Sequence, residues 1–457
     1  MKKQLLYYLF LLLPALVLAQ DISGNWKGTL SFGPQKIELS FGVSEENNKL
    51  LGHMSIPAQG LNKAVATQTS FSDGLFKISF SAFNISYEGL LANDSIQGSF
   101  IQNGFNIPLV LSRGNIQIKR PQTPKPPFNY SSEEIVFTNE KAQIQLSGTL
   151  SLPPDIPLKA LVIMVSGSGP QDRDGSMFDH KPYKLLAHNL ANNGIGVLRY
   201  DERGVGTSEG DFNTASIDTL GEDLKAALDF LKKRKEFAGV PMGLIGHSLG
   251  GIIAPKIASE SEGIDFLVLL AAPGRSGDLL MLQQKADIER KMGLSEPQVS
   301  QGQELMRGIY DIVVGKKLSA SQTLIAIDRY LINIYGELLP ENQRKQLLNQ
   351  IGSPEIMSLI RSEPSAYLES LSVPVLALNG SLDVQVAAIE NLAAIEKALP
   401  AHPKHRFETL EGLNHLFQEA ETGLPNEYFT IAQTLSPRLI AIIQEWISDV
   451  ALEKVVF

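Results

Sequence analysis

The pentapeptide Gly246-His247-Ser248-Leu249-Gly250 stands between a short apolar run, Met242 to Ile245, and a helix-like segment, Ile252 to Ala258. A serine flanked by glycines between a strand and a helix predicts a sharp turn that exposes the serine hydroxyl at the end of a sheet. The helix after such a turn directs its first N–H groups and its positive dipole end towards the same position. We therefore predict a nucleophile at Ser248, held by a turn that its two glycines permit, with the N–H of Leu249 donating to an oxyanion.

The overall composition is that of a globular protein and excludes several other classes of protein. The chain has 457 residues, of which 43% are hydrophobic and 19% charged, which is enough for two or three domains. Its net charge of −9 gives no basic footprint for nucleic acid. It contains no cysteine, so disulfides, thiolate metal sites and a cysteine nucleophile are all excluded. We expect no metal and no cofactor.

The first 19 residues have the features of a secretory signal peptide. Lys2 and Lys3 form a basic start, and the run from Leu5 to Leu18 is almost purely apolar. Val17-Leu18-Ala19 has the small residues of a cleavage site, which predicts a mature start at Gln20. The alternative is an uncleaved anchor, but the run is shorter than the roughly 20 residues of a spanning helix. We expect an exported protein, periplasmic or extracellular, with no membrane span after signal removal.

Residues 20–119 are predicted to form a small antiparallel β barrel or sandwich. This block alternates apolar and polar residues between hairpin-type turns such as Ser72-Asp73-Gly74, and we count about eight short strands. Gly24-Asn25-Trp26 resembles the opening of lipocalin-type barrels, and Trp26 is expected to close a barrel end rather than to contact a ligand.

Residues 120–131, which include the proline-rich Pro121 to Pro127, are expected to be a stiff connector that separates this block from residues 132–457. The latter alternate between strands and helices, with continuous apolar runs such as Ala160 to Val165. Such runs are typical of strands buried on both faces of a mostly parallel sheet, with helices on either side. Between about residues 275 and 370 only helical patterns occur, which we interpret as a helical cap over a pocket at the carboxyl ends of the strands.

A serine nucleophile needs a base, and the base needs a carboxylate that orients it. Of the seven histidines, only His415 lies in a loop that directly follows a predicted strand of this sheet. His247 lies inside the turn and is expected to point away from Ser248. Asp383 follows an earlier predicted strand at the same end of the sheet. We therefore predict a triad of Ser248, Asp383 and His415, in the chain order of α/β-hydrolases.

A second oxyanion donor is expected in the loop that follows the strand Ala160 to Val165. The loop reads Ser166-Gly167-Ser168-Gly169-Pro170, in which glycines allow backbone N–H groups to approach a substrate. The N–H of Ser168 is the first choice and that of Gly169 the second. The residues that follow, Gln171 to Asp174, could line the pocket, or their charges could pair with each other; both alternatives stay open.

Residues 132 to 452 resemble the α/β-hydrolase superfamily, most closely bacterial exported hydrolases related to serine aminopeptidases and esterases. The resemblance is carried by separate motifs: SGSGPQDRDG at Ser166 to Gly175, DERGVGTSEG at Asp201 to Gly210, GHSLGGIIAP at Gly246 to Pro255, LNGSLDVQV at Leu378 to Val386, and GLNHLFQ at Gly412 to Gln418. It implies that Asp201, Arg203 and Gly204 support the active-site floor. The usual His-Gly opening of the oxyanion loop is replaced here by Ser166-Gly167.

These observations predict a serine hydrolase, with a carboxylesterase acting on small or medium acyl esters as the preferred activity. An aminopeptidase or amidase is the alternative, and it would need a carboxylate in the cap, such as Glu289, Glu304 or Asp311, to hold an amino group. A glycan-binding deacylase, with the β block as the binding module, is a third hypothesis. The expected partner is a small-molecule ester or peptide substrate, and a homodimer is left open.

Overall fold

The computed structural model describes residues 21–32, 35–56, 61–116, 119–153, 156–315 and 318–454. The expected signal peptide, Met1 to Ala19, lies outside these residues. The described chain forms two compact units, which divide between residues 117 and 118. In the described ranges, no helix combines the length and the apolar character needed to cross a membrane.

The first unit is one antiparallel sheet built as a meander. Its strands are β1 (Gly24–Phe32), β2 (Gln35–Glu46), β3 (Lys49–Ile56), β4 (Leu61–Val65), β5 (Gln68–Ser72), β6 (Leu75–Phe80), β7 (Ile85–Ala92), β8 (Ser95–Gln102) and β9 (Phe105–Arg113). The strand order is β4-β3-β2-β1-β9-β8-β7-β6-β5, so the last strand returns to pair with the first. The predicted antiparallel β domain is confirmed, with nine described strands where about eight were expected.

The sheet rolls up until its two ends approach each other, which favours the barrel over the sandwich. The N–H of Ala66, just after β4, donates to the carbonyl of Gly52 on β3 at 2.8 Å, and the α-carbon of Gly52 faces the Thr69 side chain of β5. Trp26 is fully buried inside, where its indole N–H donates to the Ile22 carbonyl at 2.8 Å. Its position inside the unit agrees with the expected structural role.

The second unit is built on an eight-stranded sheet. Its strands are β10 (Ser131–Asn139), β11 (Ile144–Leu152), β12 (Ala160–Val165), β13 (Ile195–Tyr200), β14 (Met242–His247), β15 (Phe266–Leu270), β16 (Val375–Gly380) and β17 (Arg406–Leu410). The order is β10-β11-β13-β12-β14-β15-β16-β17, with β10 and β11 antiparallel at one edge and the other six strands parallel. Strand β12 has the predicted bounds.

Helices cover both faces of this sheet. They are α1 (Pro182–Asn192), α2 (Ile217–Lys232), α3 (Gly250–Glu260), α10 (Ala388–Ala398) and α11 (Pro437–Lys454). One apolar core packs α2, α3 and α10 against the sheet, and a second core packs α1 and α11 against the other face. The central strands are buried on both sides, which explains their uninterrupted apolar sequences. This is the predicted α/β-hydrolase fold.

A helical insertion separates β15 from β16. It consists of α4 (Gly277–Lys291), α5 (Glu296–Gly315), α6 (Ala320–Tyr335), α7 (Glu341–Gly352), α8 (Pro354–Ile360) and α9 (Pro364–Leu368), with a short 3₁₀ turn at Gly336–Leu338. The insertion has an apolar core of its own, centred on Ile309, Val313, Ile327 and Leu331. It is therefore a folded body rather than a set of loops.

The start of the connector is not a free spacer. Arg120 donates through Nε and Nη2 to the Phe178 carbonyl, at 3.0 and 2.8 Å, and its guanidinium also donates to the carbonyls of Phe429 and Ile431, each at 2.8 Å. Gln122 bonds the backbone of the segment before α11. From the sequence we expected a stiff connector and did not predict these contacts. Composition indicates the stiffness of the prolines, but it does not indicate which carbonyls Arg120 contacts.

Candidate active site

Ser248 lies on a strained turn between β14 and α3. Its φ is 53°, a left-handed value that non-glycine residues rarely adopt, and its N–H donates to the Leu270 carbonyl at 2.9 Å. The glycines on either side are required by contact: a Cβ on Gly246 would lie 2.3 Å from the Gly250 carbonyl oxygen, and one on Gly250 would lie 2.2 Å from the Val165 carbonyl oxygen. The turn therefore has the geometry that the sequence predicted.

His415 and Asp383 are hydrogen-bonded to each other at the carboxyl ends of the last two strands. The His415 Nδ1 lies 2.8 Å from Asp383 Oδ2, and both side chains are almost fully buried. The other carboxylate oxygen accepts the N–H groups of Gln385 and Val386 at 2.8 and 2.9 Å. These contacts fix the carboxylate, and a proton on Nδ1 leaves Nε2 of His415 able to accept one.

The residues predicted for catalysis meet at one cleft. Ser248, His415, Leu249 and Ser168 all line a cavity of about 380 Å³, with Asp383 behind His415. The facing wall comes from helices α4 and α8 of the insertion, through Leu280, Met281, Ile356 and Leu359. The cleft therefore lies between the carboxyl ends of the strands and the insertion.

Several N–H groups of the loop after β12 already have hydrogen-bond acceptors. Gly167 donates to the Tyr183 hydroxyl at 3.3 Å, and Gly169 donates to Glu355 Oε1 at 2.8 Å. Within the described parts of the chain, the N–H of Ser168 has no acceptor. Ser168 is thus the available donor, whereas the second choice, Gly169, was wrong because a buried carboxylate of α8 already takes its N–H.

From the sequence we expected His247 to point away from Ser248, but the side chain of His247 faces the cleft. It lines the cleft, its Nε2 lies 3.0 Å from the His415 carbonyl oxygen, and its Nδ1 lies 3.3 Å from the Tyr183 hydroxyl. Since a carbonyl only accepts, Nε2 carries the proton. Burial, with a smaller contribution from the neighbouring His415, lowers the pKa of His247 to about 3. A neutral imidazole therefore supports the backbone of the predicted base.

Two buried carboxylates flank the same loop, and sequence reasoning assigned neither of them to the site. Glu202 accepts the Gln171 N–H at 2.9 Å, and Glu355 accepts the Gly169 N–H. Burial raises the pKa of Glu202 well above its ordinary value, and repulsion by Glu355 raises it further. Burial also raises the pKa of Glu355. For Glu202 the DERG motif was a signal, but nothing in the sequence around Glu355 marks it.

The residues expected to support the floor make buried ion pairs. Asp201 Oδ2 accepts from Arg173 Nη2 at 2.8 Å, and Arg203 makes a two-point contact with Asp223 at 2.7 and 2.8 Å. Gly204 has a φ of 71°, which favours glycine. Supporting roles for these positions remain predictions, and the contacts are those that such roles require.

The open question about Gln171 to Asp174 has a mixed answer. Gln171 lines the cleft, whereas Arg173 pairs with Asp201 and Glu134, and Asp174 pairs with Arg199 and Lys181. Arg173 and Asp174 therefore pair with residues outside the loop, whereas Asp172 accepts the N–H groups of Asp174 and Ser176.

The three cap carboxylates considered for an amino group lie elsewhere. Glu289 pairs with Lys285 one turn earlier on α4, and Glu304 and Asp311 lie on exposed positions of α5. None of the three is among the described residues that line the cleft. Likewise, the described ranges hold no cluster of three or more histidine, aspartate or glutamate residues suited to a metal ion.

The sheet order, the turn geometry and the cleft at the carboxyl ends of the strands are those of the α/β-hydrolase fold. The comparisons with known proteins support an α/β-hydrolase. Residues 175–314 match the family model described as serine aminopeptidase, S33. That match includes Ser248 but ends before Asp383 and His415.

Two curated relatives have names that describe hydrolases. Esterase EstD of Thermotoga maritima is 26% identical over 308 residues, which cover 66% of this chain and 65% of EstD. Human monoglyceride lipase is 31% identical over 116 residues, covering 25% of this chain and 35% of the lipase. The chain thus spans less than two thirds of the length of either relative. Among solved structures, an esterase of Pyrococcus furiosus has a TM-score of 0.42 at 17% identity, over 70% of this chain and 93% of that one.

Proposed function

We propose that this α/β-hydrolase is a carboxylesterase that acts on small or medium acyl esters through an acyl-enzyme. The observation that carries the proposal is the shared cleft, in which Ser248 on its strained turn and the hydrogen-bonded pair of His415 and Asp383 occur together. The names of the esterase and lipase relatives support an ester as the substrate.

In the first half of the reaction, Ser248 Oγ attacks the ester carbonyl carbon while His415 Nε2 takes the hydroxyl proton. The N–H groups of Ser168 and Leu249 stabilise the oxyanion, and each such donor is worth roughly 2.7–4 kcal/mol of barrier. The carbon–oxygen bond of the ester then breaks, and the alcohol leaves with the proton from His415. In the second half, water replaces the alcohol, and the carboxylic acid is released.

An aminopeptidase or amidase is the second candidate, because the matching family model carries the description of a serine aminopeptidase. Such an enzyme needs a carboxylate free to bind the amino group of the substrate. Of the carboxylates near the loop after β12, Glu355 already accepts from Gly169 and Glu202 from Gln171. An ester, which needs no such partner, fits the cleft better.

The decisive experiment compares p-nitrophenyl acetate with aminoacyl-p-nitroanilides on one preparation of the protein, together with the variant Ser248→Ala. We expect hydrolysis of the ester, and a loss of several orders of magnitude in kcat in Ser248→Ala with an unchanged circular dichroism spectrum. Ester hydrolysis retained by Ser248→Ala would show that the nucleophile is misassigned. Faster cleavage of the anilides would favour the aminopeptidase.

A further inference from the structure

A second cavity adjoins the cleft on the side of α1 and α11, and we call it the inner cavity. Four residues line both spaces: Gln171, Met177, His247 and Leu416. Ser248 itself lines only the cleft, and His247, the residue before it, lines both spaces. Its volume is about 40 Å³, roughly a tenth of that of the cleft.

The lining of the inner cavity is apolar and buried. Most of its other side chains are buried: Met164, Tyr183, Leu186, Leu270, Phe417, Leu435 and Leu439. These side chains come from β12, β15, α1, α11 and the loop after β17, so the pocket is set into the core of the fold and is not a surface groove. Burial of apolar surface against such a lining is favourable for a hydrocarbon group.

The polar side chains of the inner cavity already have partners. His180 Nδ1 lies 2.8 Å from the Thr434 hydroxyl, and its Nε2 lies 3.0 Å from the Tyr428 carbonyl oxygen. Gln418 donates to the Gln433 carbonyl at 3.0 Å. Burial lowers the pKa of His180 to about 4, so the ring is neutral at pH 7. A polar or charged ligand would find no free partner here, whereas an apolar one loses nothing.

We propose that the inner cavity is the acyl pocket, which holds the hydrocarbon chain of a short linear acyl group while its carbonyl carbon is bonded to Ser248. This inference rests on the proposed function. One water-sized atom needs roughly 10–15 Å³ of cavity volume, so the inner cavity accommodates about three to four carbon atoms beyond the carbonyl. The preferred substrates are therefore esters of butyric or pentanoic acid, and the larger cleft takes the alcohol.

The test measures kcat/KM for p-nitrophenyl esters with acyl chains of two to ten carbons. We expect a maximum at four or five carbons and a fall of about 10-fold or more at the first chain length beyond that fit, since one misfitting methylene costs about that factor. Leu439→Ala enlarges the inner cavity and should move the maximum to longer chains. Ile443→Ala is the matched control, because Ile443 lies one turn later on α11, is equally buried and does not line the inner cavity.

A second variant fills the same space. Leu435→Phe should lower kcat/KM for the four-carbon ester about 10-fold while leaving the two-carbon ester within a factor of about 2–3. Folding of each variant is checked by thermal unfolding. The inference is overturned by a wild-type profile that stays flat or rises to ten carbons, or by identical profiles for Leu439→Ala and Ile443→Ala. If the wild type hydrolyses none of these esters, it is the proposed function that fails.

Discussion

Glu355 of α8 accepts a hydrogen bond from the backbone N–H of Gly169 at 2.8 Å, and this contact joins the helical insertion to the loop that carries the predicted oxyanion donor. The carboxylate is 8% exposed, so the bond is made away from bulk water. Since Ser168 immediately precedes Gly169, this hydrogen bond anchors the peptide group next to the predicted donor. The insertion is therefore part of the site's geometry and not only a cover.

We expect Glu355→Ala to lower kcat about 10-fold on p-nitrophenyl butyrate, because losing the acceptor leaves the Gly169 N–H unsatisfied, at a cost of roughly 1–3 kcal/mol. Glu355→Gln keeps an acceptor oxygen and should retain most of the activity. Glu304→Ala, on an exposed position of α5, is the control. Equal losses of kcat in the Ala and Gln variants would show that the hydrogen bond is not what matters.

A pH dependence of stability follows from Glu202. Its pKa in the folded protein is well above 4.5 because of burial, with repulsion by Glu355 adding to it. The folded state thus binds this proton more tightly than the unfolded chain, and the resulting stabilisation is full below pH 4.5 and is lost as the pH rises through the folded-state pKa. We expect Glu202→Gln to gain melting temperature relative to the wild type between pH 5 and pH 9. Glu304→Gln provides the reference, and parallel curves for Glu202→Gln and the wild type would contradict the assignment.

The neutral state of His247 predicts a distinctive combination of effects. His247→Phe removes the hydrogen bond to the His415 carbonyl oxygen, so kcat should fall about 10-fold, the factor expected for a buried group left unpaired. The acid limb of the pH–rate profile between pH 5 and 8 should not move, because the pKa of His247 is lowered to about 3 and the ring does not titrate there. Tyr183→Phe, which removes the contact to Nδ1 and the acceptor of the Gly167 N–H but leaves the hydrogen bond to the His415 carbonyl, is the comparison. A shifted acid limb in His247→Phe would mean that His247 is charged in the active enzyme.

The predicted triad could be read from the sequence because the carboxyl ends of parallel strands meet at one edge of a sheet. Asp383 and His415 each follow a predicted strand of the sheet, so their meeting needed only the strand order. The Glu355–Gly169 contact could not be predicted in this way, because the two residues are 186 positions apart. The contact depends on how helix α8 docks, and the sequence pattern of α8 indicates only which face of the helix is apolar. In the first unit, β4 and β5 are only five residues long, which is why a count from alternation fell short.

From the contacts of Arg120 we predict that the connector affects the geometry of the cleft. Its guanidinium holds the carbonyls of Phe178, Phe429 and Ile431, and burial lowers its pKa to about 10. Phe178 lines the cleft and has a φ of 49°, and left-handed backbone costs a non-glycine residue roughly 1–2 kcal/mol. We expect Arg120→Met to release this turn, lowering the melting temperature and raising KM several-fold with little change in kcat.

Arg120→Lys should behave like Arg120→Met, because an ammonium cannot reproduce the planar fork that reaches three carbonyls at once. The control is Lys125→Met, an exposed position of the same connector. Replacing Phe178 by Asn, which tolerates left-handed backbone, should restore part of the lost melting temperature in the Arg120→Met background. If Arg120→Lys keeps the wild-type KM and melting temperature, charge alone suffices and the geometric role of the guanidinium is wrong.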